Sequence, residues 1–156
     1  MFPPLRTHNS KNVPITTLIN GLIGGLLATV VMTIIMMMRG DDSPPPTALF
    51  WLKYIGEGEP SAFVMQGMVL HLIYGIAAGR IIALFMPLIG FVSVSTIFSA
   101  IAWGLIYGIV LFIGAAVFWM KIILGIDTDM KMAGLFLFFH LVYGAILGAW
   151  IGLDIL

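Results

Sequence analysis

The chain has 156 residues, of which 61% are hydrophobic and only 9% charged, with formal net charge zero. Soluble domains average roughly 45–50% apolar and about 25% charged residues, so this composition, with a mean hydropathy of +1.13, excludes a water-soluble domain with one core and points to a bilayer as the main solvent. The lack of cysteine excludes disulfides, zinc knuckles and thiolate chemistry, and no basic block or acidic tail suggests nucleic acid or a charged partner.

Residues 1–14 form a polar N-terminal segment with Pro3, Pro4, Arg6 and Lys11. The apolar run behind it is longer than the core of a secretory signal and reads as a retained span. A four-span membrane domain is expected over residues 15–156. Its apolar stretches run from about Thr16 to Met38, from Ala62 to Phe85, within Gly90 to Met120, and from Met132 to Leu153. Each is long enough to cross about 30 Å of hydrocarbon at about 1.5 Å per residue. In lipid the backbone has to satisfy its own hydrogen bonds, so these are helices. The third stretch is longer than a crossing needs and is expected to tilt or to begin as loop.

Among the connections, the first is the longest, Arg39 to Ser61. Ser43 before Pro44, Pro45 and Pro46 ends the first helix and can cap a new one. The segment Thr47 to Gly56 that follows places Trp51, Lys53 and Tyr54 beside aliphatic residues, which suits a short helix lying in the membrane interface. The second connection, Pro87 to Gly90, is short and uncharged. The third, Lys121 to Lys131, offers Asp127 and Asp129 as caps for the last helix. Basic residues are nearly balanced on the two sides, Arg6, Lys11 and Arg80 against Arg39, Lys53, Lys121 and Lys131, so the positive-inside rule leaves orientation open.

An internal repeat is legible. His71-Leu-Ile-Tyr-Gly-Ile-Ala-Ala-Gly79 aligns with His140-Leu-Val-Tyr-Gly-Ala-Ile-Leu-Gly148, and more weakly Gly21-Leu-Ile-Gly-Gly25 aligns with Gly104-Leu-Ile-Tyr-Gly108. The unit is a two-span hairpin, one copy over about 16–86 with the loop 39–61, the other over about 91–153. Two-span copies share one orientation, which puts His71 and His140 at one depth. Glycines four apart let helix backbones approach closely. Gly21, Gly25, Gly75, Gly79, Gly104, Gly108, Gly144 and Gly148, with Tyr74 and Tyr143, are therefore the expected packing residues.

In these motifs the chain resembles a family of small four-span prokaryotic membrane proteins, largely archaeal, of unknown function; YagU-like inner-membrane proteins are a more remote likeness. The shared pattern is Gly25-Leu-Leu-Ala-Thr-Val-Val-Met-Thr33 in the first helix, a His-led second helix, Trp103-Gly104 in the third, and the terminal His140-Leu-Val-Tyr-Gly-Ala-Ile-Leu-Gly148. The likeness covers most of Gly21 to Gly152, while the Pro-rich first loop departs from it. It implies a membrane fold and the cytoplasmic membrane of a prokaryote as its address. It implies no activity.

Three sets of residues are candidates for chemistry. Ionisable groups inside a membrane are costly and frequently functional. His71 and His140 at one depth can ligate a haem iron from two sides, or each can bond a carbonyl, Tyr or Thr across a helix contact. If the second and fourth helices pack together through Gly75 and Gly144, the gap is too narrow for haem. Met32, Met36, Met37, Met38, Met65, Met68, Met120, Met130 and Met132 lie toward the same membrane side as the histidines. Thioether and imidazole suit Cu(I), so His71, His140, Met68 and Met36 form a candidate metal set, against the plainer role of methionine as apolar filler. Arg80, with Trp51 and Tyr54, reads as a lipid or interface contact, Arg80 by snorkelling. Thr29 and Thr33 can bond carbonyls of their own helix or reach a neighbour. Asp41, Asp42, Glu57 and Glu59 read as a solvated acidic loop. No Ser-His-Asp set, His-Glu-x-x-His site or phosphate loop is present.

The expected architecture is an all-α membrane protein, a four-helix transmembrane bundle built from two repeated hairpins. The first functional expectation is a small integral membrane protein without catalytic machinery, an accessory or structural subunit of a membrane complex or a homo-oligomer. Its partners would be the bilayer and membrane proteins or copies of itself, not nucleic acid. The alternatives are a haem- or copper-binding protein using His71 and His140, and a small oligomeric transporter or channel.

Overall fold

The computed structural model describes residues 15–38, 44–85 and 96–153. The polar segment 1–14, the expected cap Ser43, the connection Pro87 to Gly90 and the last three residues lie outside the described residues. Within them the chain is helical, with no strand: α1 (Ile15–Met38), α2 (Pro46–Tyr54), a 3-10 turn (Pro60–Phe63), α3 (Val64–Phe85), α4 (Ile97–Ile113) and α5 (Met130–Gly152). Beyond Ile113, α4 continues as a wider π-helical segment, Gly114–Leu124. Four helices are long and apolar enough to cross a membrane, and they form a four-helix bundle.

Local chemistry sets the ends. α2 begins with Pro46 in its first turn, where a missing N–H costs nothing. Thr96 and Ser99 cap α4 reciprocally: the Ser99 N–H donates to Thr96 Oγ1 at 3.2 Å, and the Thr96 N–H donates to Ser99 Oγ at 3.1 Å. Of the two aspartates expected to cap the last helix, Asp129 does so, accepting from the Met132 N–H at 2.7 Å. The third span runs through Lys121 to Leu124, further than expected, because the wide turn carries the helix on. Gly125, at φ 72°, ends it in the left-handed region that glycine adopts without steric penalty.

The tightest pairings are α1 with α3 and α4 with α5, and α1 against α5 joins the two hairpins. Glycine makes the first two contacts. A Cβ on Gly25 would lie 2.7 Å from the Gly75 carbonyl oxygen, and one on Gly21 would lie 2.6 Å from that of Gly79. Across α4 and α5, a Cβ on Gly104 would strike the Gly144 carbonyl, and one on Gly148 the Ala100 carbonyl. Such backbone-to-backbone contact is the main glue between helices where lipid removes the hydrophobic drive.

The register differs from the expected pairing of odd helices. Gly25 lies over the Gly75 carbonyl and the Gly79 Cα; Gly104 lies over the Gly144 carbonyl and the Gly148 Cα. Against the even helices, Gly104 thus stands where Gly25 stands, not Gly21, and Gly108 stands where Thr29 does. Backbone contact sets this register; the short Gly-Leu-Ile-x-Gly match lies one helical turn out.

Between the hairpins a small core forms from Ala28 and Met32 of α1, Ala78 and Ile82 of α3, and Phe139, Tyr143 and Leu147 of α5. It adjoins a partly open cavity between the helices, which Met32, Ala78, Phe139 and Tyr143 also line.

Candidate ligand-binding cavity

All four spans and the start of α2 line one cavity of about 790 Å³. Ligand pockets typically occupy about 300–1,000 Å³ and are mostly apolar with a few placed polar groups. This one has that character. α1 contributes Met32, Thr33, Met36 and Met37; α3 contributes Met68, His71, Tyr74 and Ala78; α5 contributes Leu135, Phe136, Phe139, His140 and Tyr143. From α4 come Tyr107, Leu111, Gly114, Ala115, Phe118, Trp119 and Met120, the last five on the π-helical segment. This segment forms one wall of the cavity. Pro44, Pro45, Pro46, Thr47 and Ser61 close the end nearest the first loop.

Both histidines line this space, with different surroundings. His140 Nδ1 lies 2.6 Å from the Phe136 carbonyl oxygen. A carbonyl only accepts, so Nδ1 carries the proton, and in the neutral ring Nε2 is left with its lone pair. The rings of Phe112 and Phe136 flank it at 6.3 and 6.2 Å between centroids. His71 Nε2 is enclosed and has no hydrogen-bond partner. An unsatisfied enclosed polar group costs about 1–3 kcal/mol. Two more hydroxyl oxygens of the lining, Thr33 Oγ1 and Thr47 Oγ1, are enclosed and unpartnered in the same way.

Two tyrosines hold the walls. Tyr143 donates to the Gly75 carbonyl at 2.6 Å, and Tyr107 donates to the Ala78 carbonyl at 2.7 Å. These bonds tie α5 and α4 to α3, whose own backbone contact with either is slight. Gly75 and Gly144 lie against α1 and α4, so the second and fourth spans do not close on each other through their glycines.

The structure therefore brings His71, His140, Met36 and Met68 to one cavity, with Met32, Met37 and Met120. It leaves Met38, Met65, Met130 and Met132 exposed, and Met37 is exposed as well although it edges the cavity. Among the described residues no group of three or more His, Cys, Asp or Glu is placed to hold a metal ion. Tyr74, expected at a helix contact, is 44% exposed and packs edge-on against Trp119 at 5.2 Å, because its face of α3 turns from α1 toward α4; Tyr143 is 2% exposed. Arg80 is exposed, Thr29 is fully buried, and Thr29 Oγ1 donates to the Gly25 carbonyl at 2.7 Å.

α2 is tied to the end of the third span. Lys53 Nζ donates to the carbonyls of Ile123 and Leu124 at 2.9 and 2.8 Å, and the Tyr54 hydroxyl donates to Ile123 at 2.6 Å. A cation on the last carbonyls of a helix satisfies orphan acceptors and the negative end of its dipole. Trp51 is half-buried beside Phe50, which in turn packs on Trp119. Sequence reading did not find Tyr107 or Trp119 as parts of the site, nor Lys53 as the cap of the third span. Tyr107 and Trp119 stand in uniformly apolar stretches that mark no face, and the partners of Lys53 are seventy residues away.

No family model, no curated protein and no solved structure matched the chain.

Proposed function

We propose that the protein is a small, non-catalytic integral membrane protein that holds a hydrophobic organic ligand inside its bundle, with His71 and His140 as the polar contacts. The observation that carries this reading is the cavity itself. It is apolar, lies among membrane-spanning helices, has the volume of a cofactor site, and is lined by both histidines, His71 and His140. A chain that only packed against others would gain by filling this space, since lost contacts around a void are destabilising.

The two hairpins are, in this reading, copies of one unit. The shared motif of α3 and α5 and the matching glycine contacts support that, once the odd helices are aligned Gly25 to Gly104. A prokaryotic cytoplasmic membrane is the proposed address, on the resemblance of the motifs alone.

A second reading, the accessory subunit or homo-oligomer, is favoured by one face. α4 is the least enclosed span. Its Phe98, Ile106, Val110, Ile113, Val117 and Phe118 are exposed, a surface for lipid or for another helix. The two readings are compatible, because this face and the cavity use different sides of the bundle for most of their residues.

The test is extraction with a mild detergent, followed by organic extraction of the purified protein and mass analysis of what is released. The expected result is a defined organic molecule that is absent from an Ala115→Trp variant, whose indole would occupy the cavity without touching the glycine contacts. Release of only the bulk lipids of the membrane, in equal amount from both proteins, would contradict the proposal.

A further inference from the structure

We infer that the ligand is a neutral long-chain lipid of the bilayer with a hydroxyl at its polar end, the hydroxyl on His140 and the tail leaving between α3 and α4. This rests on the reading of the cavity as an organic-ligand site and names the class of molecule and its route.

The cavity opens between two spans. Tyr74 and Ile81 of α3, with Val110, Gly114 and Phe118 of the third span, all line it and are all exposed. The remaining exposed lining residues, Met37, Ser61 and Val64, sit beside the first loop, and no lining residue of α5 is exposed. α3 and α4 have little backbone contact. Side chains cross the gap instead: the Tyr107 hydroxyl reaches the Ala78 carbonyl, and the Tyr74 ring packs on Trp119. Tyr74 and Val110 stand near the middle of spans that run Pro60–Phe85 and Ile97–Leu124. A mouth at that depth faces hydrocarbon, so what reaches it is apolar chain.

The lining selects against charge. No Lys, Arg, Asp or Glu borders the space, and a charge taken from water without a partner is strongly disfavoured. Phosphate and carboxylate heads are thereby excluded from it. Met32, Met36, Met68 and Met120 supply flexible apolar contact that adapts to a chain. A single Cu(I) ion would use such thioethers but would leave a space of about 790 Å³ almost empty.

One polar atom can hold the head of the lipid. His140 Nδ1–H is bonded to the Phe136 carbonyl, so Nε2 is an acceptor. Among the described residues nothing donates to it, and it is not one of the enclosed unpartnered atoms, as His71 Nε2 is. It therefore opens on the cavity that its ring lines. An acceptor calls for a donor, and the uncharged donor of a lipid alcohol or phenol is its hydroxyl.

The experiment places the purified full-length protein in phosphatidylcholine nanodiscs with solanesol, a long prenyl alcohol, or geraniol, which has the same head and a tail short enough to stay inside the cavity. Native mass spectrometry counts the molecules bound. The expected result is saturation at one solanesol per chain. Solanesyl methyl ether, which has no donor, should bind roughly two- to tenfold more weakly, the worth of one hydrogen bond. His140→Ala should bind alcohol and ether alike. A Cβ at Gly114 meets nothing within 4 Å, so Gly114→Trp has room to place its indole in the mouth. That variant should lose solanesol and keep geraniol, which also shows that it is folded. Equal binding of alcohol and ether by the wild-type chain, solanesol retained by Gly114→Trp, or loss of both probes alike overturns the inference. If neither probe binds but the wild-type chain retains another organic molecule that Ala115→Trp loses, the inference falls and the cavity reading stands. If it retains none, both fall.

Discussion

The motif His-Leu-x-Tyr-Gly-x-x-x-Gly occurs twice, and its two copies have different surroundings. In α5, Tyr143 is 2% exposed and donates to the Gly75 carbonyl; in α3, Tyr74 is 44% exposed and meets only Trp119 among the described contacts. His140 has its Nδ1 bonded, whereas His71 has an unpartnered Nε2. Gly144 lies against the backbone of Gly104, while Gly75 lies against the side chain of Thr29. What the copies keep is the glycine face, because a backbone contact tolerates no substitute. They differ at His and Tyr because α5 also contacts α1 at the centre of the bundle and α3 contacts little besides α1 and α2. A repeated motif thus fixes which face packs, and the position of the hairpin decides what the remaining side chains meet.

Replacing the last glycine of either motif should break both copies equally. In Gly79→Leu and Gly148→Leu the new side chain meets backbone that cannot yield, so destabilisation should reach or exceed the upper end of the roughly 1–3 kcal/mol typical of overpacking. Thermal unfolding in detergent should show little cooperative transition for either variant.

The copies should separate at the preceding glycine. Both Gly75→Ala and Gly144→Ala are expected to destabilise, by about 1–3 kcal/mol. Only the first has a side chain to trim: Thr29→Gly should recover much of the loss in the Gly75→Ala background, giving the first hairpin the surroundings of the second. No single trimming should rescue Gly144→Ala. A double-mutant cycle on unfolding free energies measures this coupling.

Smaller effects sharpen the contrast. Tyr143→Phe should cost about 0.5–1.5 kcal/mol, the worth of a net hydrogen bond, and Tyr74→Phe should be silent; equal effects would mean that the two tyrosines are equivalent. Lys53→Met removes a cation from the end of the third span and should cost about 0.3–1 kcal/mol. It should also increase amide exchange in Ile123 to Ile126 while leaving the glycine contacts protected.

Much of the fold is legible in the sequence because hydropathy and length alone set the spans in a bilayer. The Asp129 cap and the Pro-led α2 also follow from local chemistry. The cavity does not. Each spanning helix is apolar nearly all round, so no stripe says which side faces a neighbour, a void or lipid. His71, His140, Met36 and Met68 can be singled out as chemically able residues, but their meeting depends on Tyr143 and Tyr107 reaching carbonyls of α3 and on the wide turn after Ile113. The one-turn shift in register of the odd helices was hidden for a related reason: Ala100 takes the place of Gly21 in the second hairpin, so the glycine pattern alone aligns the wrong pair.

Native mass spectrometry of the mildly extracted chain tests the central claim most directly, by comparing wild type with the His71→Ala/His140→Ala double variant. The account predicts an added mass of one organic ligand per chain, missing from the variant while the variant's oligomeric state is unchanged. A wild-type chain carrying no added mass, or the same mass on both proteins, would contradict it and leave the histidines as packing residues.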